Sequence, residues 1–167
     1  SQSIVETGDK TPAVLKDYVK NPAKYIMMPG NAIKRHPFVE ERTAALTQFA
    51  EDCIYNTVEM NSDEIGIITS GCSYLYVKEV MGDKASILKI GMPYPLPVKL
   101  IKDFASKVKK LYVIEELDPF IENECKALGI KVEGKELFTL LWVPPFLGLV
   151  ALLLDSSLTA VLLSQVG

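Results

Sequence analysis

A chain of 167 residues is long enough for one domain with a substantial core and an appendage. Its 18 Lys and Arg nearly balance its 21 Asp and Glu, and the densest basic run, Lys107, Lys109 and Lys110, falls at an expected helix end without an aromatic stacking platform, which argues against a nucleic-acid surface. The cysteines Cys53, Cys72 and Cys125 are isolated, which argues against zinc and cluster motifs and for a reducing cytoplasm.

The first third reads as an extended linker feeding a helix. Pro12, Pro22, Pro29 and Pro37 punctuate it and bias their preceding residues towards extended backbone. No signal peptide is recognised at the start. Thr11-Pro12 is expected to open a short helix to Tyr18, and Asn21-Pro22 to cap another turn. Ile26, Met27 and Met28 read as an apolar strap on the domain surface. Arg35 and His36 follow as solvated or interface residues. From residue 38 to about 58 the spacing predicts one helix, with Ala45, Phe49, Ala50, Cys53 and Ile54 on its buried face.

Between residues 64 and 134, strand and helix patterns alternate three times. Strands are expected at 65–69, 85–90 and 111–115, and helices around 74–81, 97–108 and 118–128. Short apolar strands separated by helices imply right-handed crossovers onto a mostly parallel sheet, hence a three-layer α/β domain. Ile67, Ile87, Val113, Phe104 and Leu100 are the expected core. In such a sheet the functional loops lie beyond the carboxyl ends of the strands.

Those loops supply the candidate site residues. Ser70, Gly71, Cys72 and Ser73 stand at a strand end and a helix start, where backbone amides can hold a phosphate or carboxylate. The weightier reading is an N-cap by Ser70 or Ser73, and Cys72 reads better as a packed side chain than as a reactive thiol. Gly91, Met92 and Tyr94 lie in a stiff loop with Pro93, Pro95 and Pro97, suited to facing a neighbouring domain. Glu115 and Glu116 project in opposite directions on extended chain and make a poor acid/base pair. Glu116 is expected to cap the helix near Asp118-Pro119 or to pair across an interface. No G-x-G-x-x-G, P-loop or G-x-S-x-G motif occurs, and one histidine offers little to a metal site or triad. No catalytic or metal residue is assigned.

Three ordered blocks carry a resemblance: Ile65-Gly66-Ile67-Ile68-Thr69-Ser70-Gly71, then Leu88-Lys89-Ile90-Gly91-Met92-Pro93-Tyr94-Pro95-Leu96-Pro97, then Leu111-Tyr112-Val113-Ile114-Glu115-Glu116-Leu117-Asp118-Pro119-Phe120. With Met28-Pro29-Gly30-Asn31-Ala32 and Arg35-His36 upstream, roughly residues 1–140 resemble the large subunit of indolepyruvate:ferredoxin oxidoreductases. The resemblance implies a parent enzyme that decarboxylates aryl pyruvates, passing electrons to ferredoxin and the acyl group to coenzyme A. Thiamine diphosphate, magnesium and 4Fe-4S clusters are implied for that parent, and no cofactor for this chain. The nearest approach to a thiamine motif, Gly82-Asp83-Lys84, lacks the second glycine and reads as a turn.

On this resemblance, residues 1–37 are an interdomain linker, 38–140 a transketolase C-terminal-like α/β domain, and 141–167 an apolar tail of uncertain origin. The implied role is a non-catalytic domain making contacts with other domains of the large subunit and with a smaller subunit, in the cytoplasm. Two alternatives stand beside it: a free-standing α/β module binding an anionic small ligand, and a C-terminal domain of a transketolase or 2-oxoacid dehydrogenase β subunit. The tail 141–167 carries one charged residue, Asp155, and resembles nothing in the family. Asp155-Ser156-Ser157 interrupts its apolar run, so it is not expected to anchor in a membrane. A buried hairpin, a partner surface (a second copy included) and foreign sequence remain open, the last favoured.

Overall fold

The computed structural model describes residues 7–136, so the tail and every reading of it lie outside the described residues. The chain divides into two compact units, Ser1–Ala45 and Leu46–Gly167.

In the first unit, α1 (Pro22–Tyr25) opens on Asn21, whose Oδ1 accepts from the Lys24 amide at 3.1 Å. The helix expected from Thr11 to Tyr18 is absent; that stretch has no regular structure. Val14, Leu15, Tyr18 and Val19 stand exposed, and a helix this short is marginal without a surface to pack on. Ile26, Met27 and Met28 are likewise exposed, not strapped down.

The next helix, α2 (Pro29–Glu51), begins earlier than residue 38 and stops short of 58. Proline suits a first helical turn, and Pro37, expected to punctuate, lies inside the helix. It removes one hydrogen bond to the carbonyl four residues back, at Ile33, which is exposed and open to water. Of the expected apolar face, Ala50 and Cys53 are buried, whereas Ala45, Phe49 and Ile54 are exposed. Only the last turn of α2 and the residues after it reach the core.

The second unit holds β1 (Thr57–Glu59), β2 (Ile65–Ser70), α3 (Ser73–Met81), β3 (Ser86–Ile90), α4 (Val98–Ala105), β4 (Lys110–Ile114) and α5 (Phe120–Ala127). The sheet order is β1-β3-β2-β4. β2 runs parallel to both neighbours, with Ile67 beside Ile87 and Ile68 beside Val113. β1, absent from the expected elements, pairs antiparallel with β3 through Val58 and Leu88.

Alternation along the strands sends side chains to two faces, and each face has its own cluster. Ile68, Leu88 and Val113 pack with Ile101 and Phe104 of α4 and with Ile121 and Cys125 of α5. Ile67, Ile87, Tyr112 and Ile114 pack with Val77 and Met81 of α3. The result is the expected three-layer α/β arrangement. Leu100 is half-buried at the flank of the first cluster instead of central, because Ile101 and Phe104 take the inward face of α4. The free edge of β4 is covered by the returning chain. The Val113 amide donates to the Glu133 carbonyl at 2.8 Å, and the Glu133 amide to the Leu111 carbonyl at 3.1 Å.

Burial on both faces makes the strands the stability determinant. Ile87→Ala should cost about 2–5 kcal/mol in urea unfolding, whereas Ile54→Ala, at 79% exposure, should stay within about 0.5 kcal/mol. Equal losses at the two positions would contradict this burial pattern.

Candidate functional site

The central strand β2 feeds α3 onto one face of the sheet, whereas its neighbour β4 feeds α5 onto the other. Connections that part in this way leave a crevice beyond the carboxyl ends of the two strands. A cleft of about 350 Å3 lies there, lined by Ser70 and Gly71 after β2, by Pro93, and by the turn from Glu115 to Asp118 with Phe120 and Ile121.

Its geometry is set by one carboxylate. α5 follows Pro119 without a local side-chain cap. Glu115 fills that role from the strand end, its Oε2 accepting from the Ile121 amide at 2.8 Å and its Oε1 from the Glu122 amide at 3.0 Å. The cap was expected of Glu116. Directly after both, Leu117 adopts the left-handed region, φ 53°, which reverses the chain so that Glu115 meets the helix and Glu116 turns away. Glu116 instead accepts, through Oε1, from the Cys72 thiol at the start of α3. Neither Ser70 nor Ser73 caps α3: Cys72 holds the cap position with no side-chain bond to the helix amides, and the Ser73 hydroxyl is buried without a partner.

α4 repeats the device. It follows Pro97, again with no local side-chain cap, and Glu51 at the end of α2 accepts from the Lys99 and Leu100 amides, both at 3.0 Å. Asn56 completes this corner by accepting through Oδ1 from the Gly91 and Met92 amides at 2.9 and 3.0 Å, while its Nδ2 donates to the Ala50 carbonyl at 2.8 Å. Gly91 is required here, since a Cβ would come within 2.4 Å of the Tyr55 carbonyl oxygen. Gly91 and Met92 therefore serve the scaffold, and Tyr94 is 70% exposed outside the cleft lining. Arg35 and His36 stand on α2 in the first unit, where His36 Nε2 lies 3.3 Å from Glu40.

Glu122 ties the exit of the α/β unit. Its Oε1 accepts from Lys126 Nζ at 2.7 Å and its Oε2 from the Lys135 amide at 2.8 Å, while Lys135 Nζ donates to the Glu115 carbonyl at 2.5 Å. Burial pushes the Glu122 carboxyl up, but the Lys126 ammonium and the Lys135 amide outweigh it and leave the group below its ordinary value. At Glu115 the balance reverses: burial outweighs the two amides and raises the carboxyl above its ordinary value. Burial, with Glu115 and Glu124 nearby, pushes the Cys125 thiol up to about 11.

Glu51, Asn56, Glu115 and Glu122 were missed as site-building residues. Apart from Lys126, four positions after Glu122, their partners lie six to 49 positions away, beyond what helix-start spacing reveals. The one local signal was the absence of a capping side chain at Pro97 and Pro119.

The described residues do not fit a thiamine cofactor. Gly82, at φ 52°, ends α3 with its amide donating to the Lys78 carbonyl at 3.0 Å, so Gly82-Asp83 is a helix stop. Cys53 and Cys125 are buried free thiols, and the Cys72 thiol donates to Glu116. No group of three or more His, Cys, Asp or Glu among the described residues is arranged to hold a metal ion.

A doubly faced, mostly parallel sheet with its crevice at a strand-order reversal defines a three-layer α/β domain. No protein-family model matches the chain. Subunit IorA of indolepyruvate oxidoreductase from Thermococcus kodakarensis is 33% identical over 131 residues, covering 72% of this chain and 20% of that protein. The same subunit from Methanothermobacter thermautotrophicus is 30% identical over 146 residues, 80% of this chain and 24% of its own length. Among solved structures, a 2-oxoglutarate:ferredoxin oxidoreductase from Magnetococcus marinus is similar over 65% of this chain and 20% of its own, at 20% identity and a TM-score of 0.44. The chain is a relative of one stretch of the indolepyruvate oxidoreductase IorA subunits, as its strand-end blocks implied, and spans about a fifth of their length.

The Glu115 cap has a pH signature. Its raised carboxyl means the native state keeps a proton that the unfolded chain has released, so this group adds stability as pH falls through that window. In urea unfolding, the advantage of the parent chain over Glu115→Gln should therefore grow from about pH 7 to about pH 4.5. An advantage that shrinks over that range would contradict it. Separately, Leu117→Gly should leave stability unchanged or raise it by up to about 1 kcal/mol, because a left-handed leucine is strained and this one is 58% exposed.

Proposed function

We propose that this chain is a non-catalytic domain segment of a thiamine-diphosphate-dependent 2-oxoacid:ferredoxin oxidoreductase large subunit, acting on indolepyruvate or a related aryl pyruvate. The observation that carries this reading is the state of the helix starts at the strand ends. Three helix N-termini, each able to attract an anion, face the chain's own carboxylates: Glu116 by way of Cys72 at α3, Glu51 at α4 and Glu115 at α5. A phosphate or carboxylate ligand entering the cleft meets Glu115, Glu116 and Asp118 on its wall. This disfavours the α/β unit as a free-standing module for an anionic ligand.

The strand-end loops instead display apolar side chains. Leu117 and Phe120 on the cleft wall are 58% and 43% exposed, and Tyr94, on the β3 loop outside the lining, is 70% exposed. Such a rim suits contact with other domains of the large subunit or with a smaller subunit. On this reading residues 1–37 link domains and 38–140 form the contact domain. The remainder of the parent holds the thiamine diphosphate, magnesium and 4Fe-4S clusters and meets ferredoxin and coenzyme A. The parent works in the cytoplasm; no described helix is long and apolar enough to cross a membrane.

The test is calorimetric titration of the purified chain with thiamine diphosphate, with and without magnesium, followed by an assay with indolepyruvate, coenzyme A and an electron acceptor. The expected result is no magnesium-dependent binding and no turnover. Magnesium-dependent micromolar affinity, or acceptor reduction by the chain alone, would sink the scaffold reading.

A further inference from the structure

The first unit carries a second concavity, of about 330 Å3, and its lining is opposite in character to the cleft of the α/β unit. Lys24 of α1 and Lys34 and Arg35 of α2 line it together with Asn21, Asn31 and Phe38, and no acidic side chain does. None of the three cations has a carboxylate within ion-pair distance among the described residues. The first acid along α2 after Arg35, Glu40, is engaged by His36.

The connection between the helices is held by short-range bonds. Asn31 Nδ2 donates to the Ile26 carbonyl at 2.8 Å, and Asn21 Oδ1 accepts from the Lys24 amide at 3.1 Å. The two asparagines thus fix the turn that brings α1 and the start of α2 to one cavity. Three like charges converging on such a space repel one another, and an anion between them relieves that repulsion.

We propose that this concavity binds a phosphate-bearing small molecule, its phosphates held by Lys24, Lys34 and Arg35. A multiply charged tetrahedral group matches three cations better than a single carboxylate does, and the planar guanidinium of Arg35 can bond two phosphate oxygens at once. The volume accommodates a pyrophosphate with room for an attached group. Phe38, exposed at the margin, offers a flat face on which a base can stack. The concave shape favours a small ligand over an acidic protein segment. The α/β unit has no part in this site, so it stands or falls apart from the scaffold reading.

The test uses the full chain in magnesium-free buffer, titrated in turn with pyrophosphate, adenosine diphosphate, inorganic phosphate and a polyaspartate peptide. Pyrophosphate should bind saturably at one site, and Lys34→Gln with Arg35→Gln should weaken it about tenfold or more with helix content and melting unchanged. Lys24→Gln alone should weaken it less, and Lys107→Gln with Lys110→Gln should leave it intact. Adenosine diphosphate binding tighter than pyrophosphate, with the advantage lost in Phe38→Ala, identifies a nucleotide; equal affinities identify the phosphates alone. No saturable binding of any phosphate compound, binding of polyaspartate only, or affinity indifferent to the Lys34 and Arg35 substitutions would each overturn the proposal.

Discussion

The strand-end surface depends on one contact, the Glu115 carboxylate spread across the Ile121 and Glu122 amides. A helix start leaves amides without partners, and leaving such donors unsatisfied costs about 1–3 kcal/mol each when they are buried. Pro119 carries no side chain to accept from them. The carboxylate must come from the strand, and the chain can return it only by reversing at Leu117. That reversal swings Glu116 to Cys72 and so links the β4 loop to the start of α3. One cap thereby fixes two of the three loops around the cleft.

The third loop is held by the same logic from the other side. Glu51 and Asn56, just before β1, bond the amides of α4 and of the β3 loop. The exit of the domain is fixed by Glu122, which faces Gly134 so closely that a Cβ there would lie 2.3 Å from its Oε2. Lys135 then reaches back to the Glu115 carbonyl. The capping network and the exit segment therefore share α5, and loosening Glu115 would loosen both.

The sheet was legible because its strands are buried on two faces. Such strands must be short, continuously apolar and rich in branched residues, and the runs around Ile67, Ile87 and Val113 announce themselves without their partners. β1 was not, since a three-residue edge strand with Val58 as its apolar member has no periodicity to detect. The ends of α2 were misplaced for a related reason. Its middle is exposed, so apolar spacing at Ala45 and Phe49 carried no burial, and Pro37 looked like a boundary where an exposed helix tolerates it. At the candidate site, topology points to Ser70, Gly71 and Glu116, and all three line the cleft, with Glu115 and Asp118 beside them. What was not legible was which acid caps which helix. That depends on a single backbone reversal, and propensity argues against leucine in that conformation.

The distribution of charge gives these details a common consequence. In the α/β unit, the positive ends of α4 and α5 are neutralised by carboxylates that each accept two amides, and a third carboxylate stands at the start of α3. A helix dipole satisfied internally has little left to offer a mobile anion. Evolution of a phosphate site there would require removing the residues that hold the loops, at the cost of the surface itself. The crevice that such a sheet elsewhere offers to a ligand is here walled by the chain's own carboxylates. What those loops leave outermost is apolar: Tyr94, Leu117 and Phe120 stand exposed on them.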